Sequence, residues 1–287
     1  MKRRGSGTRD QGPEKHSWAT GPRSLAPGPA VCLTIAGSDS GGGAGIQADL
    51  KTFAALGVHG TSAITALTAQ NTQGVATVHA VPVKHLAAEL DAVFDDFDIA
   101  AVKTGMLGDA RTVRCVAREL GHRRPRWLVV DPVMIATSGA RLLDKNAVRV
   151  LIDELIPLAD VLTPNLPEAE ALTGIAVRNA RDGERVAAKL RAFGAQAVLL
   201  KGGHGRGRDV IDRWFDARGS FEVRNRRSPF DAHGTGCTLS AALAAELAKG
   251  RTPRTAARRA IAFVQRALQH AYTPGMTPLR VLAQRPR

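Results

Sequence analysis

Short apolar segments alternate with amphipathic helical segments along most of this chain, and this alternation constrains the fold most strongly. Strands joined through helices need crossover connections, so the pattern predicts a mainly parallel sheet covered on both faces, in one doubly wound α/β domain. The predicted strands are 31–36, 58–67, 100–102, 127–130, 160–162 and 197–200. The predicted helices are 46–56, 109–120, 144–156, 167–173, 182–193, 235–248 and 253–272.

Residues 1–28 differ from the rest of the chain in composition. They hold six Lys or Arg and two Asp or Glu among Gly, Pro and Ser, with few large apolar side chains. Such a segment cannot offset the entropy of ordering, so we expect a disordered basic tail over 1–28 and one folded domain over 29–287. A polyanion partner for the tail, solvated disorder and a misassigned start codon remain open.

The charge and cysteine content exclude several classes of protein. Lys and Arg number 40 against 26 Asp and Glu, but the arginines are scattered along helical segments and aromatic residues are only 4% of the chain, which disfavours a nucleic-acid interface. Three widely spaced cysteines form neither a disulfide framework nor a CxxC metal site. Because there is also no long apolar run and no secretory signal, we expect a cytoplasmic protein that does not enter a membrane.

A first glycine cluster, Gly37–Gly45, follows the first predicted strand and precedes a helix. Glycines in this position let backbone amides approach a phosphate at a helix N-terminus. The cluster is not a dinucleotide fingerprint, because no acidic residue follows in the second strand region, and no GxxxxGK[ST] loop is present. A tight turn that only needs positive φ is an equally good interpretation of these residues alone.

A second cluster runs from Asp231 to Thr238 and opens a helix rich in small residues. Successive amides of Gly234, Thr235, Gly236 and Cys237 would form an anion-binding nest, and the helix dipole would favour a thiolate at Cys237. The alternative is a glycine-rich helix entry with an inert cysteine.

Polar residues follow three of the predicted strands. Asp131 and Glu168 lie just past strand ends, where carboxylates can hold Mg²⁺ directly or through water, and Lys201 ends another strand within reach of a phosphate. Glu168 could instead complement the dipole of its helix, and Lys201 could be solvated. No GxSxG elbow and no paired histidine spacing is present, so His204 and His233 are interpreted as loop donors rather than metal ligands.

In order, these motifs resemble the hydroxymethylpyrimidine and phosphomethylpyrimidine kinases of thiamine biosynthesis. The resemblance runs from about Val31 to about Leu279. It rests on the stretches 36–52, 65–72, 103–107 and 233–238.

The resemblance implies a ribokinase-like three-layer α/β/α fold, a homodimer, and the use of ATP and Mg²⁺ to phosphorylate the pyrimidine and then its monophosphate. The implied substrate-binding residues are Gln70, Gly37, Asp49, Met106 and Thr68. The implied anion hole and catalytic residues are Gly234, Thr235, Gly236 and Cys237. Lys201, Asn165 and His233 would bind ATP or phosphate, and Asp131 and Glu168 would hold Mg²⁺, directly or through water.

The chain departs from that family at two places. Relatives commonly read Ala-Lys-Ser-Gly-Asp where this chain has 136–140, and Asn-Thr-His where it has 231–233. A lysine is lost and an acid gained near the expected phosphate site, so the second phosphorylation is affected more than the first. A vitamin B6 kinase, and an impaired homologue that senses pyrimidine or nucleotide, are the alternative functions.

Overall fold

The computed structural model describes residues 28–135, 142–205 and 207–285. The predicted tail lies outside these ranges apart from Gly28, and so does the departure at 136–140. Within the described ranges no helix is both long and apolar enough to cross a membrane.

A nine-stranded sheet forms the centre of the molecule, in the order β3-β2-β1-β4-β5-β6-β7-β8-β9. The six central strands, β2, β1, β4, β5, β6 and β7, run parallel to one another. Strand β3 at one edge, and β8 and β9 at the other, add antiparallel pairings. A two-stranded parallel sheet pairs β10 with β11. The strands are β1 Val31–Asp39, β2 His59–Asn71, β3 Gly74–Ala80, β4 Ile99–Thr104, β5 Leu128–Val130, β6 Val161–Leu162, β7 Ala197–Leu200, β8 Asp209–Asp216, β9 Gly219–Arg226, β10 Ala232–His233 and β11 Arg280–Val281.

Helices cover both faces of the large sheet, which gives the three-layer α/β/α arrangement. One buried core joins the sheet to α2 through α6, and a second joins the opposite face to α1, α7 and α8. Alternate strand residues divide between the two cores, as the period of a strand requires: Leu33 lies in the first and Cys32 in the second. The helices are α1 Gly45–Ala55, α2 Val83–Asp96, α3 Ala110–Arg123, α4 Lys145–Val150, α5 Leu166–Thr173, α6 Ala180–Ala192, α7 Thr235–Ala248 and α8 Pro253–Gln269.

The structure confirms the α/β class and the order of the elements that were predicted, and it adds helix α2 and strands β3, β8, β9, β10 and β11, which were not predicted. The helix predicted at 144–156 is interrupted, because α4 passes into a π-helical turn, Leu151–Leu155, and then a 3₁₀ turn, Ile156–Leu158. Pro157 has no N–H to continue an α-helical ladder, which accounts for the change at this point.

The parallel strands bring their carboxyl ends to one edge of the sheet. There β1 ends at Asp39, β4 at Thr104 and β5 at Val130, so the loops that carry the motifs meet. This edge is where doubly wound sheets place their sites.

Candidate active site

A cavity of about 580 Å³ lies at this edge of the sheet. Both glycine clusters line it, together with residues that follow β4, β5, β6 and β7. The predicted site residues that line it are Gly37, Thr68, Gln70, Met106, Asp131, Asn165, Glu168, Lys201, His233, Gly234, Thr235, Gly236 and Cys237. The segment around Thr235 and the glutamine of β2 therefore share one cavity.

Asp39 organises the first glycine cluster. Its Oδ1 accepts a hydrogen bond from the N–H of Gly41 (2.8 Å), and its Oδ2 accepts from those of Gly43 (3.0 Å) and Ala44 (2.8 Å). Although burial opposes ionisation, the hydrogen bonds from His233 and the backbone lower the pKa of Asp39. The loop is thus built around a carboxylate.

The second glycine cluster forms the N-terminus of α7 and contacts the first. Gly234 has φ +83°, and a Cβ there would lie 1.8 Å from the carbonyl oxygen of Gly43. Only glycine fits this contact. No described side chain caps α7, so the first amides of the helix point to the cavity as an anion-binding nest.

Burial opposes the thiolate that the helix dipole would favour at Cys237. Desolvation raises its pKa to about 11, and this outweighs the opposing effect of Lys103 and of the hydrogen bond from the backbone of Gly45. Burial is therefore the stronger influence here, and the side chain presents S–H rather than S⁻.

Asp49, predicted to bind the substrate, lies behind the cavity wall rather than in its lining. It is fully buried, and its Oδ2 accepts from the Thr34 hydroxyl (2.6 Å) and from Nζ of Lys103 (2.7 Å). Burial opposes the charge of Lys103, but Asp49, Cys237 and Asp131 raise the pKa of this lysine. Asp49 thus acts on the cavity through the ammonium group of Lys103, which does line it.

Asp131 and Lys201 form a second buried ion pair. Nζ of Lys201 lies 2.7 Å from Oδ1 of Asp131 and 3.7 Å from Oε2 of Glu168, and the Ser240 hydroxyl donates to Oδ2 of Asp131 (3.0 Å). A Cβ on Gly236 would lie 3.3 Å from the same Nζ. The Lys201 ammonium therefore stands beside the N-terminus of α7, where it adds to the positive potential of the nest.

Glu168 lies in the first turn of α5 and takes part in its N-terminal cap, in keeping with the interpretation that it complements the dipole of this helix. Its Oε2 accepts from the N–H of Asn165 (2.8 Å), and Oδ1 of Asn165 accepts from the N–H of Glu168 (2.9 Å). Burial raises the pKa of Glu168 to about 7, against the effect of Lys201.

The carboxylates do not form a closed metal cage. Among the described residues no three His, Cys, Asp or Glu side chains converge as a metal site, and both oxygens of Asp131 already have partners. Mg²⁺ keeps several waters and commonly takes one or two carboxylates plus substrate phosphates, so Asp131 and Glu168 fit an ion that arrives with a nucleotide.

His233 was predicted to bind ATP or phosphate together with Lys201 and Asn165. In the structure it contacts Gln70, the residue predicted to hold the pyrimidine. Its Nε2 lies 3.0 Å from Nε2 of Gln70 and 3.1 Å from Oδ2 of Asp39. Gln70 lies near the carboxyl end of β2 and lines the cavity. Oγ1 of Thr68 lies 3.3 Å from the amide oxygen of Gln70.

Lys103, Asp39 and Arg227 are among the cavity residues that were not predicted as site residues. Lys103 had a signal, a lysine at the end of an apolar strand, and Asp39 lay within the first glycine cluster. Arg227 had none. It donates to the carbonyl oxygens of Gly203, Gly205 and Gly207, and so holds the loop after β7.

A doubly wound sheet that holds an amide nest and two buried lysines at its carboxyl edge suits phosphoryl transfer, and the solved structures that share this fold make the protein a kinase with the ribokinase-like α/β fold. The family model described as phosphomethylpyrimidine kinase matches residues 39–281. The chain belongs to this family.

Relatives and solved structures agree with this assignment. The chain is 51% identical over 248 residues to a hydroxymethylpyrimidine/phosphomethylpyrimidine kinase of Haemophilus influenzae, covering 85% of this chain and 92% of the relative. A phosphomethylpyrimidine kinase structure from Clostridium difficile has a TM-score of 0.75 at 42% identity and covers 83% of this chain and 99% of its own. A pyridoxal kinase of Staphylococcus aureus in complex with pyridoxal has a TM-score of 0.83 at 31% identity, covering 90% and 94%.

Proposed function

We propose that this protein transfers the γ-phosphate of ATP to the hydroxymethyl group of 4-amino-5-hydroxymethyl-2-methylpyrimidine and then phosphorylates the monophosphate in the same cavity. The single observation that carries the proposal is that Gln70 and the nest at Thr235 line one cavity. An aromatic ring held at Gln70 can present its alcohol toward a phosphate held at α7.

The transfer forms a bond between the alcohol oxygen and the γ-phosphorus and breaks the bond to the β–γ bridging oxygen, whose electron pair stays on ADP. The alcohol proton leaves to the transferred phosphoryl group or to water. Such reactions depend on positioning and on stabilisation of charge on the phosphoryl oxygens more than on a strong base. The amides of α7 and the Lys201 ammonium supply that positive potential. The Cys237 thiol supplies a hydrogen-bond donor rather than a base in this state.

Mg²⁺ bound to ATP would neutralise phosphate charge, with Asp131 and Glu168 as its protein carboxylates. The Lys201 ammonium lies 2.7 Å from Oδ1 of Asp131, and both side chains are buried. The second step places an anionic substrate in the cavity. The ammonium groups of Lys103 and Lys201, both in the cavity wall, favour that charge.

Mass spectrometry of the products tests the proposal. With ATP and Mg²⁺ we expect one added phosphate on the hydroxymethylpyrimidine, a second on its monophosphate, and a much lower kcat/KM for pyridoxine. A Lys201→Met variant is the control that ties turnover to this cavity. Absence of turnover with both pyrimidines would refute the proposal, and faster turnover of pyridoxine would favour a vitamin B6 kinase.

A homodimer is also proposed for this chain. Strand β3 forms one edge of the large sheet, and Leu67 on β2 (46% exposed) and Val78 on β3 (48% exposed) offer apolar contact area there. Light scattering after gel filtration would give twice the mass of 30.4 kDa for a dimer.

A further inference from the structure

Four side chains connect the first glycine cluster to the end of β2. Nε2 of His233 lies 3.1 Å from Oδ2 of Asp39 and 3.0 Å from Nε2 of Gln70. Oγ1 of Thr68 lies 3.3 Å from Oε1 of Gln70 and 2.8 Å from the carbonyl oxygen of Ser38. The position of each hydrogen in this series of hydrogen bonds decides which groups of Gln70 are free to bind a ligand.

At one end of this series of hydrogen bonds, Asp39 can only accept. Asp39 accepts three backbone N–H groups on its two oxygens, so the carboxylate carries no hydrogen of its own. Nε2 of His233 must therefore carry the hydrogen between them. The protonated nitrogen then has no lone pair to accept from Gln70, so only an acceptor group of Gln70 can face it and share its single hydrogen with Asp39.

At the other end of the series, the carbonyl oxygen of Ser38 can also only accept. The carbonyl oxygen of Ser38 takes the single hydrogen of the Thr68 hydroxyl, at 2.8 Å. The Thr68 oxygen can then only accept from Gln70, so the group of Gln70 that faces Thr68 must be a donor.

Both ends require the same orientation of the Gln70 carboxamide. Rotation of 180° about its last side-chain bond exchanges Oε1 and Nε2 without changing the shape of the group. We infer that His233 is a positioning residue that holds Oε1 of Gln70 toward itself and Nε2 toward Thr68, and so sets the substrate preference of the site.

This orientation defines the ligand that Gln70 recognises, and here the inference rests on the proposed function. One N–H of Gln70 and one lone pair of its oxygen remain for a molecule in the cavity. An aminopyrimidine has a ring-nitrogen acceptor next to an amino donor and can take both. Pyridoxine has no donor adjacent to its ring nitrogen, so it uses one contact and leaves the other unmade. A fixed amide therefore favours the aminopyrimidine over the pyridine.

The position of the hydrogen can be measured directly, without substrate. Long-range ¹H–¹⁵N correlation spectra of the ¹⁵N-histidine-labelled full chain, with the His233 signals assigned by their loss in His233→Ala, should show a hydrogen on Nε2. A hydrogen on Nδ1 alone would overturn the inference. This measurement is independent of activity, so it remains decisive even if neither pyrimidine is turned over and the proposed function fails.

A matched pair of variants tests the effect on specificity. In His233→Gln the new side-chain amide reaches the place of the imidazole Nε2 and can donate to both Asp39 and Gln70, whereas His233→Asn is too short. We expect the KM for the aminopyrimidine to rise at least tenfold in His233→Asn and less than threefold in His233→Gln. The KM for ATP should stay within twofold in both, which also shows that the variants are folded.

The ratio of kcat/KM between the aminopyrimidine and pyridoxine should fall at least fivefold in His233→Asn. His204→Ala, which removes another histidine from the cavity wall beside Lys201 and Arg227, is the control and should leave that ratio unchanged. Equal KM values for the aminopyrimidine in wild type and both His233 variants would show that His233 does not position Gln70.

Discussion

Nζ of Lys103 lies 2.7 Å from Oδ2 of Asp49, and neither side chain is exposed to water. A buried ion pair contributes little relative to an apolar pair of the same volume, but removing one partner leaves an uncompensated charge. The pair therefore makes each single substitution costly. It also fixes an ammonium group in the cavity wall, since the pKa of Lys103 is raised by Asp49 and its neighbours against the effect of burial.

We expect Lys103→Met and Asp49→Asn each to lower the free energy of unfolding by about 3–5 kcal/mol at pH 7. The double variant should lose clearly less than the sum, because it leaves no unpaired charge. Urea denaturation measures all three. Arg149→Met, which removes an exposed pair with Asp153, is the control and should change stability by less than about 0.5 kcal/mol. Additive losses in the double variant would contradict the pairing.

The pH dependence of stability should reveal Glu168. Burial raises its pKa from 4.5 to about 7, so the folded state favours the neutral acid and binds a proton that the unfolded chain has released. This contribution is fully present below pH 4.5 and is lost as the pH rises through 7. Relative to Glu168→Gln, wild type should lose about 3 kcal/mol over that interval.

Urea denaturation of both proteins at a series of pH values, with chelator and without nucleotide, measures the difference. Gln can keep the helix cap, so the variant removes the titration while retaining the local fold. A difference between the two proteins that does not change from pH 4.5 to pH 7 would show that Glu168 titrates normally.

Cys237 should react as a thiol of high pKa. Its pKa of about 11 leaves little thiolate at neutral pH, and the thiolate fraction should rise about tenfold for each pH unit up to 10. The rate of alkylation by iodoacetamide, followed by mass spectrometry of the modified peptide, should rise in the same way. Cys32 and Cys115 are buried, so Cys237→Ala should abolish the modification of the folded protein. A rate that levels off near pH 7 would restore the thiolate interpretation.

The central architecture could be predicted because it depends on local patterns. Apolar runs of strand length marked β1, β4, β5, β6 and β7, and α7 begins and ends at the residues predicted from its glycine entry and small side chains. The edge strands β8 and β9 were not predicted, and the reason is also local. The turn between β8 and β9, at Ala217-Arg218, carries no Asn-Gly or Asp-Gly signal.

The site could be predicted as a set of loops but not as a network. Motifs placed most of the residues at strand ends, and strand ends meet in a parallel sheet. The contact of His233 with Asp39 joins positions 194 residues apart, and no local pattern specifies it. The state of Cys237 could not be decided from sequence, because the helix dipole can be read from sequence, whereas the desolvation that opposes it depends on the packed neighbours.

The contact between the two glycine clusters predicts a large difference between two similar substitutions. Gly234 and Gly250 have nearly the same backbone conformation, with φ +83° and +78°. A Cβ on Gly234 would lie 1.8 Å from the carbonyl oxygen of Gly43, whereas a Cβ on Gly250 meets nothing within 4 Å. Gly250→Ala should lower the free energy of unfolding by about 1–2 kcal/mol, the penalty for a left-handed alanine, and should keep full activity.

Gly234→Ala carries the same penalty and must also separate the loop at Gly43 from the entry of α7. We expect it to lose at least about 2 kcal/mol more than Gly250→Ala, since the atoms in conflict are backbone and cannot rotate away. Its KM for ATP should rise and its kcat fall together, because the amides of α7 are displaced from the cavity. Urea denaturation and steady-state kinetics measure both effects. Equal losses of stability in the two variants, with activity retained in Gly234→Ala, would show that the two clusters do not depend on each other.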